Sequence, residues 1–245
     1  MTTMDTLQPL IHSISNIVPA VVQKRLFGNA MADRLTNLRN LGFKPENILD
    51  IGAYVGRWTE VTRRIFPEAK FLMIEAQESK RELLNAVVDG ARGQARVDIA
   101  LVGATPGQAT FYEMETGSSM YPEMTAVPRT LLTKQRTTID EVIARNGIER
   151  VDFAKLDVQG AELDVLAGGP QLLKTCELFL MEASVVPYNV GAPLIADVIA
   201  FMAEKGFRLF DLCEIKRARS TNFVLQVDLL FARADRDISR GWLPS

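Results

Sequence analysis

Four acids stand where an apolar run gives way to a turn: Asp50 in Ile48 to Ile51, Glu75 after Phe71 to Ile74, Asp157 after Val151 to Leu156, and Glu182 after Leu178 to Met181. The first opens the stretch Asp50-Ile51-Gly52-Ala53-Tyr54-Val55-Gly56. A pyrophosphate-binding turn calls for G-x-G-x-x-G, its amides aimed at the phosphates. Here the two glycines are four residues apart and an aspartate precedes them. A carboxylate at that point repels phosphate and attracts an ammonium group, so the turn points to a nucleoside ligand without phosphates, such as S-adenosyl-L-methionine with its amino-acid tail. Asp50, Gly52, Tyr54 and Gly56 are then cofactor contacts; a plain turn with Asp50 as a helix cap is the alternative. Glu75 follows Asp50 by 25 residues, close to the offset of roughly 20 at which an acid meets a ribose diol in doubly wound folds. Asp98 and Ala100 are placed to border an adenine ring. A solvated sheet edge explains single acids of this kind equally well.

Lys155 and Asp157 lie two apart on one predicted strand and so face the same side. Glu182 ends the next strand. Asp157 and Glu182 beside a cofactor crevice can orient a hydroxyl and take its proton, with Lys155 alongside, and Asp157 is also a cofactor contact that borders the methionine tail. The alternatives are a structural Lys155–Asp157 ion pair, a solvated terminus for Glu182 and a helix-start acid for Glu162. Asp228, inside an apolar strand, is read as a pairing or register residue. The single histidine, His12, is remote in sequence from all of these, which leaves no material for a Ser-His-Asp triad, a Cys-His pair or a histidine-ligated catalytic metal. The two cysteines, Cys176 and Cys213, sit in apolar segments as buried thiols, and neither a disulfide nor a zinc site is expected.

Strand and helix patterns alternate from Asn47 onward, which calls for a parallel sheet with helices on both faces. Asn222 to Ala232 follows the strand from Phe207 to Leu212 without an intervening helix and is expected to pair with it antiparallel. Ala95 to Val102 reads as one strand. Residues 103–137 carry Phe111 and Tyr112 in an extra strand, then glycine, serine and proline in a turn-rich stretch. Such an insertion after a central strand suits an acceptor-binding loop, with Ser118, Ser119, Tyr121 and, from the Asp157 turn, Gln159 as polar contacts. Residues 1–46 read as a helical cap and 47–245 as the main domain. With 245 residues, 47% hydrophobic, 24% charged and a net charge of −2, the chain has no basic excess for nucleic acid. No apolar run approaches the roughly 20 residues that span a bilayer, and no leader pattern opens it, so a cytoplasmic location is the expectation.

The block Lys155-Leu156-Asp157-Val158-Gln159-Gly160-Ala161-Glu162, continued by Leu163-Asp164-Val165-Leu166-Ala167-Gly168-Gly169, together with the Asp50 turn, resembles the FkbM family of S-adenosylmethionine-dependent methyltransferases. Met181-Glu182 and the closing Val227-Asp228-Leu229-Leu230-Phe231 extend the resemblance from about Ile48 to Ala232. It implies a Rossmann-like class I fold, with a mostly parallel seven-stranded sheet of order 3-2-1-4-5-7-6. The implied reaction is O-methylation of a small hydroxylated acceptor: a sugar, glycan or polyketide-like molecule. Two positions depart from the family pattern: Tyr54 stands where Asn is common, and Gln159 replaces the commoner Glu, removing one candidate base. A nicotinamide-dependent dehydrogenase and a catalytically silent partner-binding protein of the same fold are the rival readings.

Overall fold

A computed structural model describes residues 30–218 and 220–235. Four strands are mostly apolar and buried along nearly their whole length with no alternation: β1 (Asn47–Ile51), β2 (Lys70–Glu75), β7 (Phe153–Leu156) and β8 (Leu178–Ser184). Strands of that composition must be covered on both faces. They form the centre of a seven-stranded sheet with β3 (Ala95–Ile99), β9 (Phe207–Arg217) and β10 (Val224–Arg233), in the order β3-β2-β1-β7-β8-β10-β9. Numbered within this sheet alone, that is 3-2-1-4-5-7-6. Strands β1, β2, β3, β7 and β8 pair parallel, while β10 runs antiparallel to both neighbours.

Side chains alternate across the sheet into two apolar layers. Ile48, Phe71, Met73, Phe153 and Leu180 pack beneath helices α1 (Ala30–Asn40), α2 (Arg57–Ile65) and α3 (Arg81–Gly90). On the other face Leu49, Ile74, Leu156, Phe179 and Met181 meet α4 (Ile139–Arg145), α5 (Glu162–Ala167), α6 (Pro170–Thr175) and α7 (Ile195–Glu204). Cys213 belongs to the first layer and Cys176 to the second, both as buried thiols.

The run from Ala95 to Val102 is not one strand. The chain leaves the main sheet at Ala100, whose N–H is the last to bond to β2, at Glu75 O. The next two residues, β4 (Leu101–Val102), join a second sheet of order β4-β6-β5 with β5 (Gly107–Glu113) and β6 (Thr130–Thr137). Strand β6, Thr-Leu-Leu-Thr-Lys-Gln-Arg-Thr, gives no apolar alternation to read, and its pairing with β5 over seven positions makes it a strand. Helix α6 also falls where a connection was expected, opened by Pro170 in its first turn, where proline's fixed φ is favourable. Of the expected helical cap, α1 and its stop at Gly42 (φ +94°) are described; the rest, with Pro19 and His12, lies outside the described residues. No helix among the described residues is long and apolar enough to cross a membrane.

Candidate active site

All the parallel strands present their C-terminal ends to one edge, and there a cavity of about 180 Å³ opens. The β1–α2 turn forms its floor. Gly52 has φ +78°, and a Cβ there would lie 1.9 Å from the carbonyl oxygen of Asp157, so the turn touches the β7 end backbone to backbone and only glycine fits. Gly56 has φ +76°, and a Cβ would meet Val87 at 2.9 Å; it lets α2 start close against α3. Between them Tyr54 takes φ +52°.

Glu75 is buried at the end of β2, its carboxylate accepting from the Tyr54 N–H (2.7 Å) and the Gln77 N–H (2.9 Å). Burial pushes its carboxyl above the ordinary range, and the two amides oppose this. Glu75, Tyr54, Gly52, Ala100 and Asp157 all line the cavity, with Ile74, Leu101, Val102 and Phe111 as apolar wall. Glu75 at the end of β2 can therefore accept a diol, Asp157 after the end of β7 an ammonium, and the wall a flat apolar ring. These residues fit S-adenosylmethionine.

Asp50 is not among them. It is fully buried, pairs in register with Lys155, and accepts from Thr59 Oγ1 (2.8 Å) and Lys155 Nζ (3.2 Å). Thr59 of α2 and Lys155 of β7 hold Asp50 beneath the turn, outside the lining of the cavity. Lys155 is correspondingly a structural cation. Its ammonium lies 3.2 Å from Asp50 and 3.4 Å from Asp157, and 5.8 Å from the Trp58 ring centre. Burial disfavours its charge, but the two carboxylates outweigh burial and hold it firmly protonated. Asp98 also leaves the site: it pairs with Arg145 (2.7 Å) and Asn146 (2.8 Å) on α4 and its C-cap, and the Arg145 hydrogen bond holds its carboxyl below the usual range.

Asp157 remains 30% exposed at its side chain. Burial pushes its carboxyl up, yet Lys155 and Lys216 outweigh this and keep it ionised. Gln159, with φ +54°, donates its amide to Asp157 Oδ1 (2.9 Å) and to Glu182 Oε1 (2.7 Å). Glu182 also accepts from Gln226 Nε2 (2.6 Å) and from Lys216 Nζ. Its side chain is 2% exposed. With both oxygens taken by three donors it holds other groups in place and presents no free face to an acceptor. Glu162 is buried, accepting from the amides of Val158 (3.0 Å) and Gly160 (3.3 Å), and burial pushes its carboxyl up to about 8.

The insertion roofs the cavity. Ser118 and Ser119 line it, but both hydroxyls are engaged, Ser118 with Met114 and Ser119 with the Gln159 carbonyl. Tyr121 does not line it; its hydroxyl donates to Asp164 at 2.6 Å. Ser119 ties the roof to the β7–α5 turn and Tyr121 ties it to α5, while Ser118 braces the roof internally; all three hydroxyls are engaged. Sequence reasoning missed the clasp at the rim, where Glu115 Oε1 accepts from Tyr54 Oη and Lys80 Nζ, both at 2.7 Å, with Lys80 4.6 Å from the Tyr54 ring centre. It also missed Lys216, Gln226 and the loop after β8, where Asn189 is buried and donates to the Gln159 carbonyl (2.9 Å). Their partners are distant in sequence and follow no motif.

This sheet order, with its antiparallel penultimate strand and a ligand crevice at the β1–β7 edge, is the class I S-adenosylmethionine-dependent methyltransferase fold. A solved structure of TrmK from M. capricolum, in complex with S-adenosyl-homocysteine, shares it with a TM-score of 0.51 at 9% identity, over 84% of this chain and 73% of that one. Residues 50–209 match the model of the methyltransferase FkbM domain, and the chain belongs to that family. It is similar to the methyltransferase sdnD of Sordaria araneosa, 25% identical over an alignment of 190 residues, with 64% of this chain and 71% of that one covered.

Proposed function

We propose that this methyltransferase transfers a methyl group to a hydroxyl oxygen of a sugar or other small natural product. The observation that carries the reading is that two acids, Glu75 and Asp157, line one cavity from the strands on either side of the Gly52 turn. S-adenosylmethionine, when bound, supplies an activated methyl group. Glu75 would hold its ribose diol, Asp157 its ammonium, and the wall of Ile74, Leu101 and Val102 its adenine. Asp157, whose side chain is 30% exposed, gives a hydroxylated acceptor a hydrogen-bonding partner beneath the roof of the insertion. Holding two reacting centres in line supplies about 7 to 11 kcal/mol toward the barrier, so a strongly basic residue is not required.

The test has two stages: calorimetric titration with S-adenosylhomocysteine, then incubation of enzyme and S-adenosylmethionine with hydroxylated, aminated and activated-carbon acceptors. A gain of about 14 daltons on oxygen is the expected product, being one CH₂. Transfer to nitrogen or carbon alone would replace the acceptor class, and tight NADH binding without any response to adenosylhomocysteine would overturn the cofactor assignment.

A further inference from the structure

The wall of the cavity leaves one part of the cofactor unmatched. Asp98, expected to border the adenine ring, is held away by Arg145 and Asn146, and the side chains of Ile74, Leu101 and Val102 offer the ring apolar surface only. The edge of adenine carries a 6-amino donor flanked by acceptor nitrogens. A base buried with that edge unanswered forfeits the hydrogen bonds it makes in water.

Gln77 stands where an answer is needed. It lines the cavity two residues beyond Glu75 and is 4% exposed. Its backbone is committed: the N–H donates to Glu75 Oε1 (2.9 Å), and the C=O accepts from the Lys80 N–H (3.1 Å). It occupies the N-cap of a short 3-10 turn, Glu78–Lys80, where a polar side chain commonly bonds back to the turn, yet its side chain makes no such bond. Among the described residues no hydrogen bond reaches its carboxamide. The polar side-chain atoms among them that are sealed in protein without a partner are Trp58 Nε1, Thr62 Oγ1 and Arg63 Nε. The Gln77 carboxamide is not one of these, so its unbonded atoms open onto the space beside it.

Other polar side chains of the lining are accounted for. Tyr54, Ser118 and Ser119 spend their hydroxyls on the clasp and the roof, Gln159 spends its amide hydrogens on two carboxylates, and Thr116 is exposed to water. Gln77 also borders an outer cleft of about 320 Å³ with Ser79, Glu113 and Arg129, but that cleft is the more open of the two spaces, and a side chain turned into it would be more exposed. Resting on the cofactor placement above, we propose that Gln77 reads the adenine of S-adenosylmethionine, its carboxamide oxygen accepting from the 6-amino group and its NH₂ donating to an adjoining ring nitrogen. A carboxamide sets one acceptor beside one donor group, the complement of that edge.

The experiment titrates wild type, Gln77→Met and Gln77→Leu calorimetrically with adenosylhomocysteine and with its purine analogue lacking the 6-amino group, and follows urea unfolding of each free protein. Gln77→Met is expected to weaken adenosylhomocysteine by about 10-fold. Wild type should bind the amino-free analogue several-fold more weakly than adenosylhomocysteine, whereas Gln77→Met should bind the two alike. The unfolding midpoint should hold, since methionine fills the same space and no side-chain hydrogen bond is lost from the free protein. An unchanged adenosylhomocysteine Kd in both variants overturns the assignment and puts the carboxamide on the outer cleft. An equal penalty on the two ligands also overturns it, moving the contact from the base to the ribose or the tail. So does a fall in midpoint in both variants that accounts for the lost affinity, which makes the residue structural. Failure of the cofactor placement reads differently, because wild type itself would then not bind adenosylhomocysteine, and the role of Gln77 would fall with it.

Discussion

Asp50 and Lys155 face each other in register on adjacent parallel strands, 3.2 Å apart from Oδ1 to Nζ, with Asp50 fully buried. The acid that opens the cofactor turn thus acts through a cation on the strand that carries Asp157. Removing one partner of a buried pair leaves the other charge uncompensated, at a cost of about 3 to 5 kcal/mol. Asp50→Asn is expected to lower urea-unfolding stability by that order. Its loss of adenosylhomocysteine affinity should track the unfolded fraction; a stable Asp50→Asn protein with affinity abolished would return Asp50 to the cofactor.

Glu75 should behave in the opposite way. Its carboxylate faces the cavity while its oxygens collect two backbone amides, and glutamine keeps one acceptor oxygen. Glu75→Gln sets an NH2 donor against one of the two backbone N–H groups and is expected to cost about 1 to 3 kcal/mol in unfolding, and to weaken adenosylhomocysteine by about 1.5 to 3 kcal/mol beyond what the unfolded fraction accounts for. Calorimetry and denaturation on the same sample check the contrast.

The pH dependence of stability is set in part by Glu162. Its carboxyl sits at about 8 in the folded protein against an unfolded value near 4.3, so between these values the folded state binds the extra proton. Stability from this group is fully present below pH 4 and is lost as pH rises toward 8. Glu162→Gln is expected to flatten the fall in thermal midpoint between pH 6 and 9 and to be more stable than wild type at pH 9. A variant with an undiminished slope would show that another group carries it.

Gln159 donates to two carboxylates at once, and the family's commoner glutamate would put a third acid between them. Gln159→Glu should therefore cost about 1 to 3 kcal/mol at pH 8 and recover part of it at pH 5, where the new acid can carry a proton. Midpoints at the two pH values decide the matter.

The Tyr54–Lys80–Glu115 clasp joins the cofactor turn to the insertion at the rim of the cavity. Glu115 is largely exposed, so Glu115→Ala should change stability by less than about 1 kcal/mol. It should accelerate adenosylhomocysteine release several-fold in stopped-flow measurements, because the roof is then held by fewer bonds.

The central sheet was legible in the sequence because buried strands must be apolar throughout and their bounding glycines and prolines punctuate them. The run from Ala95 to Val102 was misread because a strand that changes sheets has no signature: Ala100 looks like any other small residue, and the exchange is made by backbone bonds. Strand β6 was invisible for a related reason, since pairing with β5 and not apolar periodicity makes it a strand. Residue type pointed to Glu75 and Asp157, where a carboxylate ends a strand, and both line the cavity. The same logic led to Asp50, which does not line the cavity, because a sequence pattern does not tell which side of a turn a side chain leaves from. Lys216 and Gln226 reach Glu182 across strand pairings more than 30 residues away, a distance over which no local pattern operates.

The second sheet, β4-β6-β5, has its own hydrogen-bond ladder, and only its two-residue strand β4 continues directly from the main one. The roof over the crevice can therefore lengthen, shorten or change its surface without shifting a register in the sheet that holds Glu75 and Asp157. Diversification of acceptor choice among relatives should accumulate between Ala104 and Arg129, a segment exchangeable as a cassette, while Gly52, locked against the Asp157 carbonyl, tolerates no such drift.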